Sequence, residues 1–169
     1  MPVRFSRWPA ASAAIGVTLA SSACAQRVEH EACAADTDEF SIVGSMLGAR
    51  CGSLDCHGQA GRPLRLYSGR GLRLDPEDVS GHGGTRTAEH AANLRAVVGL
   101  EPELTCEVFA SGGAGVERLT LVRKATGSEH HVGGVVLPAQ SDGRECLLTW
   151  LAGQVETAAC GRAAEERPR

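Results

Sequence analysis

Asp38-Glu-Phe-Ser-Ile-Val-Gly-Ser-Met-Leu-Gly-Ala-Arg50 runs without a break into Cys51-Gly-Ser-Leu-Asp-Cys56-His57. Acidic residues head the stretch, and Phe40, Val43, Met46 and Leu47 recur at helical spacing. That period predicts an amphipathic helix that delivers two thiols and an imidazole at its C-terminal end. A second helix is expected over residues 143–154, capped by Ser141 or Asp142, with Leu147, Trp150 and Leu151 on one face. Between them the pattern predicts a helix over 87–98 through His90, Leu94 and Val97, and another over 103–110 opened by Pro102. Residues 119–124 read equally as a short helix or a strand. Glycine-rich stretches at 81–84, 112–115 and 127–134 separate these pieces. The expected class is a small all-α domain with glycine-rich loops.

Cys51, Cys56 and His57 carry the most specific chemistry in the chain. Two cysteines with a histidine directly after the second suit covalent haem attachment: the thiols add across the two vinyl groups, and the imidazole reaches the iron as proximal ligand. The usual form places two residues between the cysteines, whereas four stand here. A short-loop disulfide between Cys51 and Cys56, or a pair of zinc ligands, uses the same residues.

Residues 1–25 follow the plan of a secretory signal peptide: Arg4 and Arg7, an apolar Ala-rich stretch from Trp8, then the small residues Ser21-Ser-Ala-Cys24-Ala25. The apolar run is short for a membrane span. Cleavage after Ala25 would release the chain to the periplasm or cell envelope, whereas lipidation at Cys24 would tether it to a membrane. Both Arg4 and Arg7 leave with the leader, so 15 of the 17 basic residues remain against 20 acidic ones. This acidic balance, without a basic cluster, argues against a nucleic-acid partner. Segments are expected at 26–38 (polar), 39–156 (the folded domain) and 157–169 (a charged C-terminal tail, frayed from Gly161 on). If Cys51 and Cys56 hold haem, then Cys33, Cys106, Cys146 and Cys160 are left for two disulfides, with three pairings open. The six cysteines beyond Cys24 equally suit three disulfides and no haem.

The helix with Phe40 and Gly44 leading into the cysteine motif, and the later Trp150-Leu-Ala-Gly153, together resemble a single-domain cytochrome c of the class I type. More narrowly, the chain is similar to cytochrome c-like lipoproteins of delta-proteobacterial type. These share a Cys-Gly-x-Leu-Asp-Cys-His-Gly stretch and a later Arg-Lys-x-x-Gly…His-x-Gly-Gly stretch. The likeness spans roughly residues 40–155. It implies crossed first and last helices, haem c as cofactor, and one-electron transfer with redox proteins of the cell envelope. It also implies that the Pro63 carbonyl accepts the second N–H of His57, fixing its tautomer. Arg62 and Arg65 are candidates for pairing with the haem propionates.

The family's usual distal methionine is absent, because only Met1 and Met46 exist and Met46 stands on the proximal helix. Glu129-His130-His131-Val-Gly133-Gly134 takes that place. His131 is the favoured distal ligand, since neighbouring side chains in an extended segment point opposite ways and the glycines allow close approach. His30, His82 and His90, like Arg123 and Lys124, read as surface groups. Ser41, Ser53 and Ser111 belong to no nucleophile–base motif, so an electron carrier is expected rather than an enzyme. The alternative is a haem-free, disulfide-stapled secreted protein or lipoprotein with a binding or structural role.

Overall fold

The structure, a computed structural model, describes residues 37–165. The leader, Cys24, His30 and Cys33 lie outside the described residues. The fold is all-α, with six helices and no strand among the described residues. These are α1 (Thr37–Cys51), α2 (Thr87–Val98), α3 (Pro102–Ala110), α4 (Thr120–Thr126), α5 (Asp142–Leu151) and α6 (Thr157–Glu165). A single 3-10 turn, Val116–Arg118, precedes α4. No helix among the described residues is long and apolar enough to cross a membrane.

Helix α1 forms where the apolar period places it, and Phe40, Val43, Met46 and Leu47 are all buried. Its outer end meets α5 through Phe40 and Trp150, whose rings lie 5.1 Å apart. Phe109 of α3 meets the other side of Trp150 edge-on at 5.0 Å. Each such pair adds about 0.5–1.5 kcal/mol beyond its buried area, a large share for a chain with few aromatics. Ser141 is the cap of α5, its Oγ accepting from the Arg144 N–H at 3.2 Å. Of residues 119–124, open between helix and strand, Thr120–Lys124 belong to α4, with extended Leu119 before it, and the helix ends where Gly127 turns left-handed at φ +84°.

The stretch 157–169, read as a charged tail frayed from Gly161, is corrected in large part: Thr157–Glu165 is helix α6, packed against α1 and α5. Ala159, Cys160 and Ala163 bury one small-residue face, and Cys160 is disulfide-bonded to Cys146 of α5. The exposed face of α6 mixes Thr157 and Ala158 with Arg162 and Glu165, so no apolar stripe marks the buried one. Helix α5, read as the terminal helix, is therefore followed by another that also lies on α1. Cys106 is disulfide-bonded as well.

Helix α2 approaches α1 closely at Gly44, where an added Cβ would sit 2.6 Å from His90 Nδ1. His90, expected at the surface, is buried. The missing side chain at Gly44 draws it in.

Breaking the α5–α6 disulfide with Cys160→Ser removes a cross-link closing a loop of 14 residues. The expected loss is about 2–4 kcal/mol, read as a lower urea midpoint and reduced helical ellipticity. Burial lowers the His90 pKa, against a smaller opposing pull from Glu89, and its Nδ1 has no hydrogen-bond partner. The unfolded chain therefore takes up a proton that the folded one refuses. Stability should be full above about pH 6.5 and fall as pH drops toward the depressed value. Urea midpoints at pH 7.5 and 5.5 should differ less in His90→Gln than in the parent protein. His57, lowered mainly by burial, leaves a residual slope.

Candidate functional site

The Cys51–His57 turn is wound by its own backbone. The Cys56 and Gly58 N–H groups donate to the Ser53 carbonyl at 3.0 and 2.9 Å, and the His57 N–H donates to Cys51 at 2.9 Å. Gly58 cannot carry a side chain here, since a Cβ would lie 2.4 Å from the Gly52 carbonyl oxygen and 2.7 Å from that of Ser53. Ser68 Oγ donates to the same Gly52 carbonyl at 2.7 Å. Arg62 closes the outside of the turn, its Nε donating to the Cys56 carbonyl at 3.0 Å and a terminal nitrogen to that of Asp55 at 3.3 Å.

His57 is fixed at three points. Besides its N–H, its carbonyl accepts from Leu66 at 2.8 Å, and its ring Nδ1 meets the Leu64 carbonyl at 2.8 Å. A carbonyl only accepts, so Nδ1 carries the proton and Nε2 is left with its lone pair. The expected acceptor was Pro63; the pairing of His57 with Leu66 sets a register that brings Leu64 to the ring instead. Pro63 lines the cleft beside it. The Leu64–Ser68 segment is itself pinned by buried Asn93 of α2. Asn93 takes the Tyr67 N–H at 2.7 Å and donates to the Tyr67 carbonyl at 2.8 Å.

These elements wall a cleft of about 1200 Å³. Leu47, Arg50 and Cys51 of α1 line one side, the 56–66 segment forms the base, and Leu121, Lys124 and Ala125 of α4 face them. Glu101 holds the start of α4, its carboxylate accepting from the Thr120 hydroxyl at 3.0 Å and N–H at 2.6 Å. The loop 130–136 closes the far side. It brings the His131 ring to 5.9 Å from that of His57, centre to centre, with planes 10° from parallel. His131 Nδ1 donates to the Gly134 carbonyl at 3.2 Å, the tautomer that puts the lone pair of the neutral ring on Nε2. Gly133 gives this ring its room, for a Cβ there would be 2.9 Å from it. His130 is exposed at the cleft mouth, with its carbonyl taken by Lys124 Nζ at 3.2 Å.

Cys51 and Cys56 are free thiols, not a disulfide. Burial, with Cys56 nearby, pushes the Cys51 pKa up to about 12 despite Arg50. It therefore stays an uncharged thiol at neutral pH, the form slow to oxidise. No group of three or more His, Cys, Asp or Glu suited to a bare metal ion occurs among the described residues. Of the expected residues, the cleft gathers Cys51, Cys56, His57, Arg62, Pro63 and His131. Arg65 is apart, over the Tyr67 ring at 5.5 Å and in a neighbouring hollow with Arg95. Asn93 and Leu64 went unnoticed in the sequence. A carboxamide three residues from His90 on an apolar helix face was the one available sign of the first, and a backbone carbonyl leaves none.

Gly58→Ala should cost about 1–3 kcal/mol, because the atoms it meets are backbone and cannot swing aside. Urea unfolding would read this loss. Gly61→Ala, which meets nothing within 4 Å, serves as its control.

No protein-family model, curated protein or solved structure matches this chain.

Proposed function

We propose that the chain is an exported single-haem c-type cytochrome that passes one electron at a time to redox proteins of the cell envelope. The observation that carries this reading is one apolar cleft holding two free thiols and two imidazoles with their Nε2 lone pairs open. Two imidazoles that shared one metal would have ring centres about 6 Å apart, from about 2 Å per metal–nitrogen bond and roughly 1 Å from each nitrogen to its ring centre. The separation of 5.9 Å is close to that spacing. The volume, about 1200 Å³, leaves room for a tetrapyrrole.

Cys51 and Cys56 would be the attachment points, each S–H adding across one vinyl double bond with sulfur on one carbon and hydrogen on the other, so that nothing leaves. When bound, haem supplies reversible one-electron chemistry at its iron. His57 would hold the iron through its Nε2, and its Nδ1–H bond to the Leu64 carbonyl keeps the ring oriented and raises its basicity. His131 would hold the iron as the second imidazole, a pairing expected to give a lower potential than histidine with methionine. Leu47, Leu64 and Leu66 exclude water from the wall of the cleft. Arg62 is committed to the turn carbonyls through two donors and retains others toward a propionate.

The full-length chain, expressed with a cytochrome c maturation system, should give a c-type pyridine haemochrome that survives acid–acetone extraction. His57→Ala should lose most of the low-spin signal. A colourless protein from active machinery would sink this reading and leave a disulfide-stapled envelope domain.

A further inference from the structure

The two imidazoles that face each other across the cleft are held very unequally. His57 is bonded through its N–H, its carbonyl and its ring, and its neighbour Gly58 is wedged against Gly52 and Gly71 with no space for a Cβ. The His131 ring has one hydrogen bond, to Gly134 of its own loop. Residues 130–135 are exposed or half-buried throughout, and Val132 is 97% exposed at the tip. Gly134 turns at φ +70° and Gly127, before the loop, at φ +84°.

Only the ends of this loop are tied down. At one end the Glu129 N–H donates to the Arg123 carbonyl at 3.1 Å, and the Glu129 carboxylate pairs with Arg123 and Lys124 at 2.8 and 2.7 Å. At the other, the Val136 and Leu137 N–H groups share the Ala125 carbonyl at 3.0 and 2.8 Å, and Arg50 holds the Val136 carbonyl at 3.2 Å. Between these anchors, among the described residues, a single hydrogen bond joins the loop to the body, from Lys124 Nζ to the His130 carbonyl at 3.2 Å.

We propose that His131 is an exchangeable ligand, and that loop 130–135 is a strap that cedes its place to a small uncharged diatomic molecule. This rests on the haem reading above. Fixed ends allow the strap to lift by a few ångströms without leaving, so only a ligand of a few atoms fits beneath it. The wall beside the strap, Leu121 and Val136, is apolar, and the cations of the cleft near it are already taken, Lys124 by Glu129 and Arg50 by the Val136 carbonyl, which disfavours a charged ligand. Because both ends stay attached, the displaced imidazole remains a competitor at high effective concentration, and a visiting ligand binds more weakly by the fraction of time the strap is open.

Carbon monoxide is the probe. Mixed with the reduced, matured full-length protein and followed by the Soret band, it should bind with a rate that levels off as its concentration rises, because His131 must leave first. In His131→Ala the rate should instead stay proportional to concentration, and the affinity should be at least about tenfold tighter. Uptake by His131→Ala but not by the parent would overturn the proposal, since His131 would then be a fixed ligand. Identical proportional kinetics in both would also overturn it, as would the effect appearing in His130→Ala instead. Absence of haem on a denaturing gel stained for it identifies a different failure: it removes the haem reading itself and the strap with it.

Discussion

Three backbone stretches meet at a point where none of them has room for a side chain. A Cβ on Gly71 would lie 2.0 Å from the Gly52 carbonyl oxygen, and one on Gly58 would lie 2.8 Å from the Gly71 Cα. Gly52 directly follows the last residue of α1, Gly58 directly follows His57, and Gly71 belongs to the segment that returns beside them. Their contact presses the turn between the two cysteines against that returning segment. The Leu72 N–H can then reach the Gly58 carbonyl at 2.9 Å. Everything that orients His57 depends on this closeness, because its ring and carbonyl both find partners in residues 64–66 of the returning chain.

The returning segment needs support of its own, since it is not part of any sheet. Asn93 supplies it by offering its carboxamide to both backbone groups of Tyr67, as a neighbouring strand would. One turn earlier on α2, Glu89 does similar work for residues 73–86. Burial alone would raise its pKa, but the Arg73 guanidinium and the N–H groups of Arg86 and Leu74 outweigh that and hold it low. A buried carboxylate is tolerable here because charge and hydrogen bonds reach it together. Helix α2 thus acts as a polar spine for a long irregular segment, while its apolar residues Leu94, Val97 and Val98 join the core.

The helices were legible wherever an apolar period coincided with a stop or a cap. Phe40 to Leu47, Pro102 and Ser141 each carry such a signal, and α1, α3 and α5 begin or bury where those residues indicate. Helix α6 was not legible, because Ala159, Cys160 and Ala163 are too small to register as an apolar stripe among charged neighbours. Its burial is set by the disulfide to Cys146 and by the groove that small residues can enter. His90 was misjudged for a related reason: its burial is decided by Gly44 on another helix, a long-range fact that periodicity does not contain. In the cleft, the residues with distinctive chemistry could be named in advance. Their spatial agreement depends on Asn93, Leu64 and three glycines, which act through backbone and shape.

The cleft and the core share walls. Leu47, Leu64 and Leu66 are buried in the hydrophobic core and also line the cleft. Leu47 lies on the same face of α1 as Phe40, which meets Trp150 on α5. Filling the cleft with an apolar group would therefore add contacts to side chains that already hold α1 in place. Any group that binds the folded chain and not the unfolded one stabilises it by mass action. Two thioether links from Cys51 and Cys56 would strengthen that effect by keeping such a group at high local concentration. A core with few aromatic rings then need not be sufficient by itself, because the packing of its first helix would be completed from the cleft side.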